Sequence, residues 1–169
     1  MANEFQGQVN ILPAIGVPGQ HMSTNPLVST QKGYCAADTV NIGSFVWAVT
    51  IKENGAKKTD AFVKSTGKGV PLGFAVREIT NPLGYNKSAS NTVPTGFPVS
   101  VAVKGDFAVI TGTVATVGQR VFAVLADGSI KTDAAGNTVD GAVETDYKVV
   151  NINGGGDVGD IIVISNWAK

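Results

Sequence analysis

Charge is what this chain has least of. Only 15% of its 169 residues are Asp, Glu, Lys or Arg, the two signs cancel at 13 each, and none occurs between Glu4 and Lys32. Binding to phosphate backbones needs an excess of Lys and Arg, so the balance argues against nucleic acid as the main partner, and against an anionic membrane surface. A single cysteine, Cys35, rules out an internal disulfide and reads as a small apolar filler. A single histidine, His21, leaves no second imidazole for a zinc site, and its setting, GQHMSTNP, reads as irregular backbone. No apolar run approaches the ~20 residues that span a bilayer. The N-terminus lacks the basic start and unbroken apolar core of a secretory signal, so synthesis in a cytoplasm is expected. Helical periodicity is almost absent.

What is present is β-structure. Past Lys32 the chain alternates apolar and polar residues, is rich in Val, Ile, Thr and Phe, and is cut by turn signals every 8–12 residues. With 43% hydrophobic residues the length suits one core, and 21 glycines and 7 prolines imply many short segments. SFVWAVTIKENGAKKTDAFVKS predicts a hairpin, with Asn54-Gly55 as a type I′ turn. VPLGFAVREI predicts a strand with Pro71 at its start. In GFPVSVAVKGDFAVITGT, the pattern puts Val99, Val101 and Val103 on one face and Ser100, Ala102 and Lys104 on the other. Lys104-Gly105-Asp106 is then expected to turn the chain, with Phe107 to Thr113 returning. Val121 to Leu125 leads through Ala126-Asp127-Gly128 into Ile130, another hairpin signal. YKVVNIN and DIIVISNW form a last pair, and Ile161 to Ile164, apolar on both faces, predicts an interior strand. The fold class is therefore all-β, an antiparallel sandwich or barrel-like domain.

Chemical motifs are few. Gly154-Gly155-Gly156-Asp157-Val158-Gly159 spells G-x-G-x-x-G, but a phosphate site needs a helix after it, and a strand-like segment follows. A hairpin turn is the expectation, and no cofactor. Asp157 and Asp160, with Asp127 or Asp133, could offer oxygens to calcium, yet the alternate-ligand spacing of a calcium loop is missing and acidic residues favour turns for backbone reasons. Asn86-Lys87-Ser88 fits a glycosylation pattern that has no meaning without a secretory route. Trp47, Trp167, Tyr34, Tyr85 and Tyr147 are scattered; they can pack inside, or form a sugar-binding platform if the indoles are exposed beside polar groups. Lys52, Lys57, Lys58, Lys64 and Lys68 outnumber Glu53 and Asp60 early on. Asp127, Asp133, Asp140, Glu144, Asp146, Asp157 and Asp160 outnumber Lys131 and Lys148 later. These charges read as solvated loops, or as complementary faces between copies. No active site emerges, and no enzyme is expected.

The uncharged opening, FQGQVNILPAIGVPGQ, is apolar yet broken by Pro13 and Pro18. Burying Phe5, Val9, Ile11, Leu12, Ile15 and Val17 yields at most ~9–18 kcal/mol. Fixing the backbone from Phe5 to Val17 costs about 13–26 kcal/mol. Such a segment needs a surface already built, and the prolines favour an extended path. Residues 1–31 are thus expected to form an extended arm before a β-rich domain over 32–169. The arm either clasps another subunit through Phe5, Val9, Ile11, Leu12, Pro13, Ile15, Val17 and Pro18, or is a strand and turn tucked against its own domain.

FQGQVNILPAIGVPG, GFAVREIT and PTGFPVSVAVKGDFAVITGTVATVGQRVFAVLADGSI, in this order, resemble a family of bacteriophage structural cement, or capsid decoration, proteins. The resemblance implies a β-rich protein on the outer surface of a tailed-phage virion that reinforces the shell. Its partners would be the major capsid protein and further copies of itself, a trimer ahead of a dimer, with no nucleic acid or membrane partner. It carries over no catalytic residue. The alternative from another class is a carbohydrate-binding β module on a phage or bacterial surface.

Overall fold

The computed structural model describes residues 16–53, 56–78, 91–152 and 155–168, with backbone alone over 51–53 and 56–60. Among them there are strands and no helix. In chain order the strands are β1 (Val28–Ser29), β2 (Tyr34–Ala36), β3 (Val40–Asn41), β4 (Phe45–Glu53), β5 (Ala56–Lys64), β6 (Gly73–Ala75), β7 (Thr92–Val93), β8 (Pro98–Val99), β9 (Val101–Lys104), β10 (Asp106–Ile110), β11 (Arg120–Val124), β12 (Ile130–Asp133), β13 (Ala142–Asn151) and β14 (Ile161–Ser165).

Two large sheets form the sandwich that the alternation predicts. One runs β1-β9-β6-β4-β5-β2-β8 and the other β10-β14-β13-β11-β12, while β3 and β7 make a small pair. All pairings are antiparallel except β2 with β5. The main core lies between the large sheets. Phe45 and Phe74 from one sheet meet Phe107 and Tyr147 from the other, with Phe74 and Phe107 stacked at 4.5 Å and Phe45 edge-on to Tyr147 at 5.6 Å. A second core lies on the other face of the seven-stranded sheet, where Val46, Val63, Ala75 and Val101 pack with Val40 of β3 and Val93 of β7. The central strands of that sheet therefore alternate between two cores, so β6 reads Gly-Phe-Ala with no polar face at all.

Several local expectations hold. The hairpins β4–β5 and β11–β12 form, with Glu53 opposite Ala56 and Ala123 opposite Ile130. The Asn54-Gly55 turn itself lies outside the described residues. Strand β14 sits between β10 and β13, the interior place that its two apolar faces require.

Three expectations need correction. The strand expected over VPLGFAVREI is only Gly73–Ala75 long, and Pro71 precedes it rather than starting it. The segment from Val99 to Lys104 is not one alternating strand: it breaks at Ser100, β8 joins β2, and β9 joins β6. The expected facing survives the break, with Val99 and Val101 in the second core and Ala102 in the main one, but Val103 is 38% exposed. Lys104-Gly105-Asp106 is also no hairpin. The chain crosses there between the large sheets, so that β10 pairs with β14 rather than β9. Alternation alone cannot separate a return strand from a crossing, since both put apolar residues toward the same core.

Candidate functional site: residues 17–29 on the sandwich

Of the residues expected to make the arm's contacts, Phe5, Val9, Ile11, Leu12, Pro13 and Ile15 lie outside the described residues. Val17 and Pro18 are described. Val17 is 44% exposed. A tight turn follows, in which Gln20 N–H donates to Val17 O at 3.0 Å. The carbonyl of Pro18 accepts from Arg77 Nε at 3.4 Å.

From Gly19 onward the chain is joined to the sandwich. Gly19 N–H donates to Ala108 O (2.8 Å), Ala108 N–H to Gln20 O (3.0 Å), and Met22 N–H to Asp106 O (2.8 Å), so residues 19–22 run along the outer side of β10. Arg77 N–H closes onto Gly19 O at 2.8 Å. Gly19 and Gly43 face each other with positive φ (83° and 86°), and a Cβ on either would strike the other's backbone or a neighbouring side chain. Farther on, β1 pairs with β9 through Val28 opposite Lys104. Residues 19–29, which the sequence places in the arm, are thus hydrogen-bonded to the β-domain.

A buried carboxylate holds this segment. Asp106, 4% exposed, accepts from Ser23 Oγ and from Asn25 Nδ2 (2.6 Å) through Oδ2. Burial by itself would raise its pKa, but the neighbouring Ser165 hydroxyl, the hydrogen bonds from Ser23 and Asn25 and the field of His21 outweigh that and hold it below the ordinary 3.8, while Oδ1 has no hydrogen-bond partner. Nearby, burial, then the charges of Asp106 and Asp146, push the Tyr147 phenol well above its ordinary value of 10. Asp106, His21 and Ser23 together hold the parts of a nucleophilic triad, but the connections are wrong. Ser23 donates to the carboxylate rather than to the imidazole, and His21 Nε2 makes no hydrogen bond. An acid-shifted carboxylate is a poor base, so the group can fasten chain segments and cannot activate a hydroxyl.

The other candidates resolve into structural roles. In the glycine run, Gly156 N–H and Asp157 N–H donate to Asp160 Oδ2 at 3.0 and 3.1 Å, so a carboxylate occupies the donors that a phosphate would need. Asp127 accepts from Ser129 N–H, and Asp133 from Ala134 N–H and Asn137. Among the described residues, no three His, Cys, Asp or Glu side chains gather around a possible cation position. Trp47 is 5% exposed and donates to Gly69 O at 2.9 Å. Trp167 is 38% exposed, but its Nε1 donates to Pro26 O at 3.1 Å and Lys104 Nζ lies 5.0 Å from its ring centre. Tyr147 is buried in the main core, Tyr34 is half-buried on β2, and Tyr85 and the Asn86-Lys87-Ser88 sequon lie outside the described residues. Cys35 is a half-buried free thiol on β2. A cavity of about 310 Å³ beside Pro18 is lined by Ile42, Ile110 and Ile130 together with the polar residues Asn41, Ser44, Asn91, Thr111, Asp127 and Ser129.

Sequence reasoning missed Asp106, Ser23 and Asn25. The available signal was an acidic residue set in an otherwise apolar strand, which must find donors if it is buried.

Comparison with known proteins supplies the remaining findings. The family model described as XM1 gp53 minor capsid protein matches residues 5–166. A chain in the solved structure of the capsid of Myoviridae phage XM1 is similar in fold, with a TM-score of 0.58 at 14% identity. The match covers 98% of this chain and 96% of that one. No curated protein matches.

Proposed function

This chain belongs to the XM1 gp53 minor capsid protein family, structural proteins of the phage capsid, and from that premise we propose that it is a cement protein. In this reading it binds the outer surface of the major capsid shell and stabilises it, with the arm contacting the shell or neighbouring copies. It is made in the host cytoplasm and works as a homo-oligomer, a trimer ahead of a dimer. The role is mechanical rather than enzymatic: many copies, each tying several subunits together, turn modest contacts into a stable shell.

The observation that carries this reading is the span of the family match. It includes the apolar opening from residue 5 as well as both sheets, so the opening is part of the sequence that the family shares. The described residues that follow the opening support it: Gly19, Met22 and Asp106 fasten residues 19–25 to β10. Such an anchor suits a segment that carries load between subunits. The carbohydrate-binding alternative asks for exposed indoles beside polar groups. Trp47 is buried, and Trp167 is occupied by Lys104 and Pro26. Cryo-electron microscopy of the particle tests the proposal. Density for the sandwich on the outer face of the shell is the expected result, and density inside the shell or only at the tail would overturn it.

A further inference from the structure

Strands β4 and β5 run on past the strands that flank them. Strand β6 pairs only with Phe45 and Val46 of β4, and β2 only with Phe62 and Val63 of β5. From Ile51 to Glu53 and from Ala56 to Lys58, among the described residues, the two strands pair with each other alone. A two-stranded ribbon is marginal by itself and gains from a surface to lie against. Its register adds a second demand. Lys52 stands opposite Lys57, and Ile51 opposite Lys58; like charges placed directly opposite disfavour one another. With Lys64 and Lys68 at its base, the hairpin region holds five lysines against Glu53 and Asp60. An anionic surface facing the ribbon turns that repulsion into attraction.

The same chain carries such a surface. A cleft of about 310 Å³ opens between the two large sheets, with Phe45 and Tyr147 at its floor, Val70 (75% exposed) and Val103 (38%) at its rim, and Glu144 and Asp146 on one wall. No Lys, Arg or His is among the described residues that line it. Arg120 reaches Glu144 from outside the cleft at 3.5 Å, and Lys104, next to Val103, keeps its Nζ 5.0 Å from the Trp167 ring. Asp146 is exposed. The Tyr147 phenol at the floor is pushed up by burial, then by the charges of Asp106 and Asp146, so the floor lies in a negative field. Apolar walls with carboxylates on one side suit the stem and the charged head of a lysine side chain.

We propose that the β4–β5 ribbon of one copy, through Lys52, Lys57 and Lys58, docks in the Glu144–Asp146 cleft of a second copy of this chain. This deepens the proposed function and rests on the homo-oligomer in that reading. Distance rules out the same copy. Phe45 lines the cleft, and Lys52 stands seven residues farther along β4, about 23 Å away at ~3.3 Å per residue. At the rim, Trp47 donates to Gly69 O beside Val70, still five residues, or about 16 Å, short of Lys52. Both gaps exceed the reach of a lysine side chain. Charge selects a second copy over another protein: the chain is neutral overall, yet its cations and anions sit on separate features of complementary sign. A ribbon-to-cleft contact is heterologous and closes into a ring when repeated by rotation, in keeping with a small homo-oligomer.

Charge reversal in the full-length protein tests this, read by sedimentation velocity over a concentration series at low and high salt. One variant carries Asp146→Lys and the other Lys57→Glu with Lys58→Glu, and thermal unfolding confirms that each folds; Asp146→Asn serves if Asp146→Lys does not. The parent should associate with rising concentration, less so at high salt. Each variant alone should associate at least roughly tenfold more weakly. Mixed with each other, the two reversed proteins should associate again, because each ribbon then meets a cleft of opposite sign; a merely damaged fold would not recover on mixing. A parent that stays monomeric, variants that associate like the parent, or a mixture that stays apart overturns the inference. Capsid attachment separates it from the wider reading: if the reversed variants still form the parent's oligomer but bind the capsid less, the ribbon or the cleft meets the shell protein, so the cement reading stands and this contact fails.

Discussion

Asp106 shows how one side chain can tie distant parts of a β-protein together. Its partners Ser23 and Asn25 lie 83 and 81 positions upstream, so a reading of the strand around it cannot find them. The sequence does show an acidic residue at the head of the apolar run Phe107–Ile110; it does not show that the strand edge is covered and the carboxylate buried. Hydrogen bonds to a buried charge contribute about 1.5–3 kcal/mol each, so Asp106→Ala is expected to lower stability by roughly 2–4 kcal/mol and to loosen residues 19–25 first. Hydrogen exchange at Gly19 and Met22 N–H reads that loss; unchanged protection there would contradict the fastening role. The pH dependence follows in sign. Because the folded pKa lies below the unfolded value, the stabilisation is complete above about pH 4 and disappears as pH falls through the lower folded value. A denaturation series should show the parent losing stability across that acid window more steeply than Asp106→Asn.

At the scale of elements, the hairpins were legible because turn chemistry and alternation agree. The sheet assignment of neighbouring strands was not, because β9 and β10 are adjacent in sequence yet belong to different sheets. The β11–β12 turn illustrates what turn chemistry leaves out. Ala126-Asp127-Gly128 reads as a turn, but Gly128 also accepts from Phe45 N–H at 2.8 Å and so stitches one sheet to the other. Its φ is 71°, and a Cβ there would collide with Phe45 O. Gly128→Ala should therefore cost at least about 1–2 kcal/mol from backbone strain alone, and more from the collision; a variant with unchanged thermal stability would refute that contact. The glycine run behaves differently. Its donors are already taken by Asp160, so neither ATP nor NAD should shift the melting temperature of the parent protein. A nucleotide-dependent shift abolished by Gly155→Ala would show that the loop is more than a turn.

At the scale of the whole molecule, the all-β sandwich was readable from composition and periodicity, and membership in a capsid family from the ordered blocks that carried the resemblance. The second core was not, because it depends on β3 and β7, each only two residues long, covering a sheet that a simple sandwich would leave facing solvent. Nor did composition mark how far the sandwich's bonding reaches: the charge-free tract runs to residue 31, while among the described residues Pro18 and Gly19 are already hydrogen-bonded to the domain. The bonds of Gly19, Met22 and Asp106 are made by residues outside 2–15, so a deletion of 2–15 keeps their donors and acceptors in the chain. The measurement that bears most directly on the cement account is capsid occupancy of the protein lacking residues 2–15 against the full-length chain, after a denaturation curve confirms that both fold equally. The account predicts attachment weaker by roughly a thousandfold, about 4 kcal/mol at ~1.4 kcal/mol per tenfold; equal occupancy would contradict it.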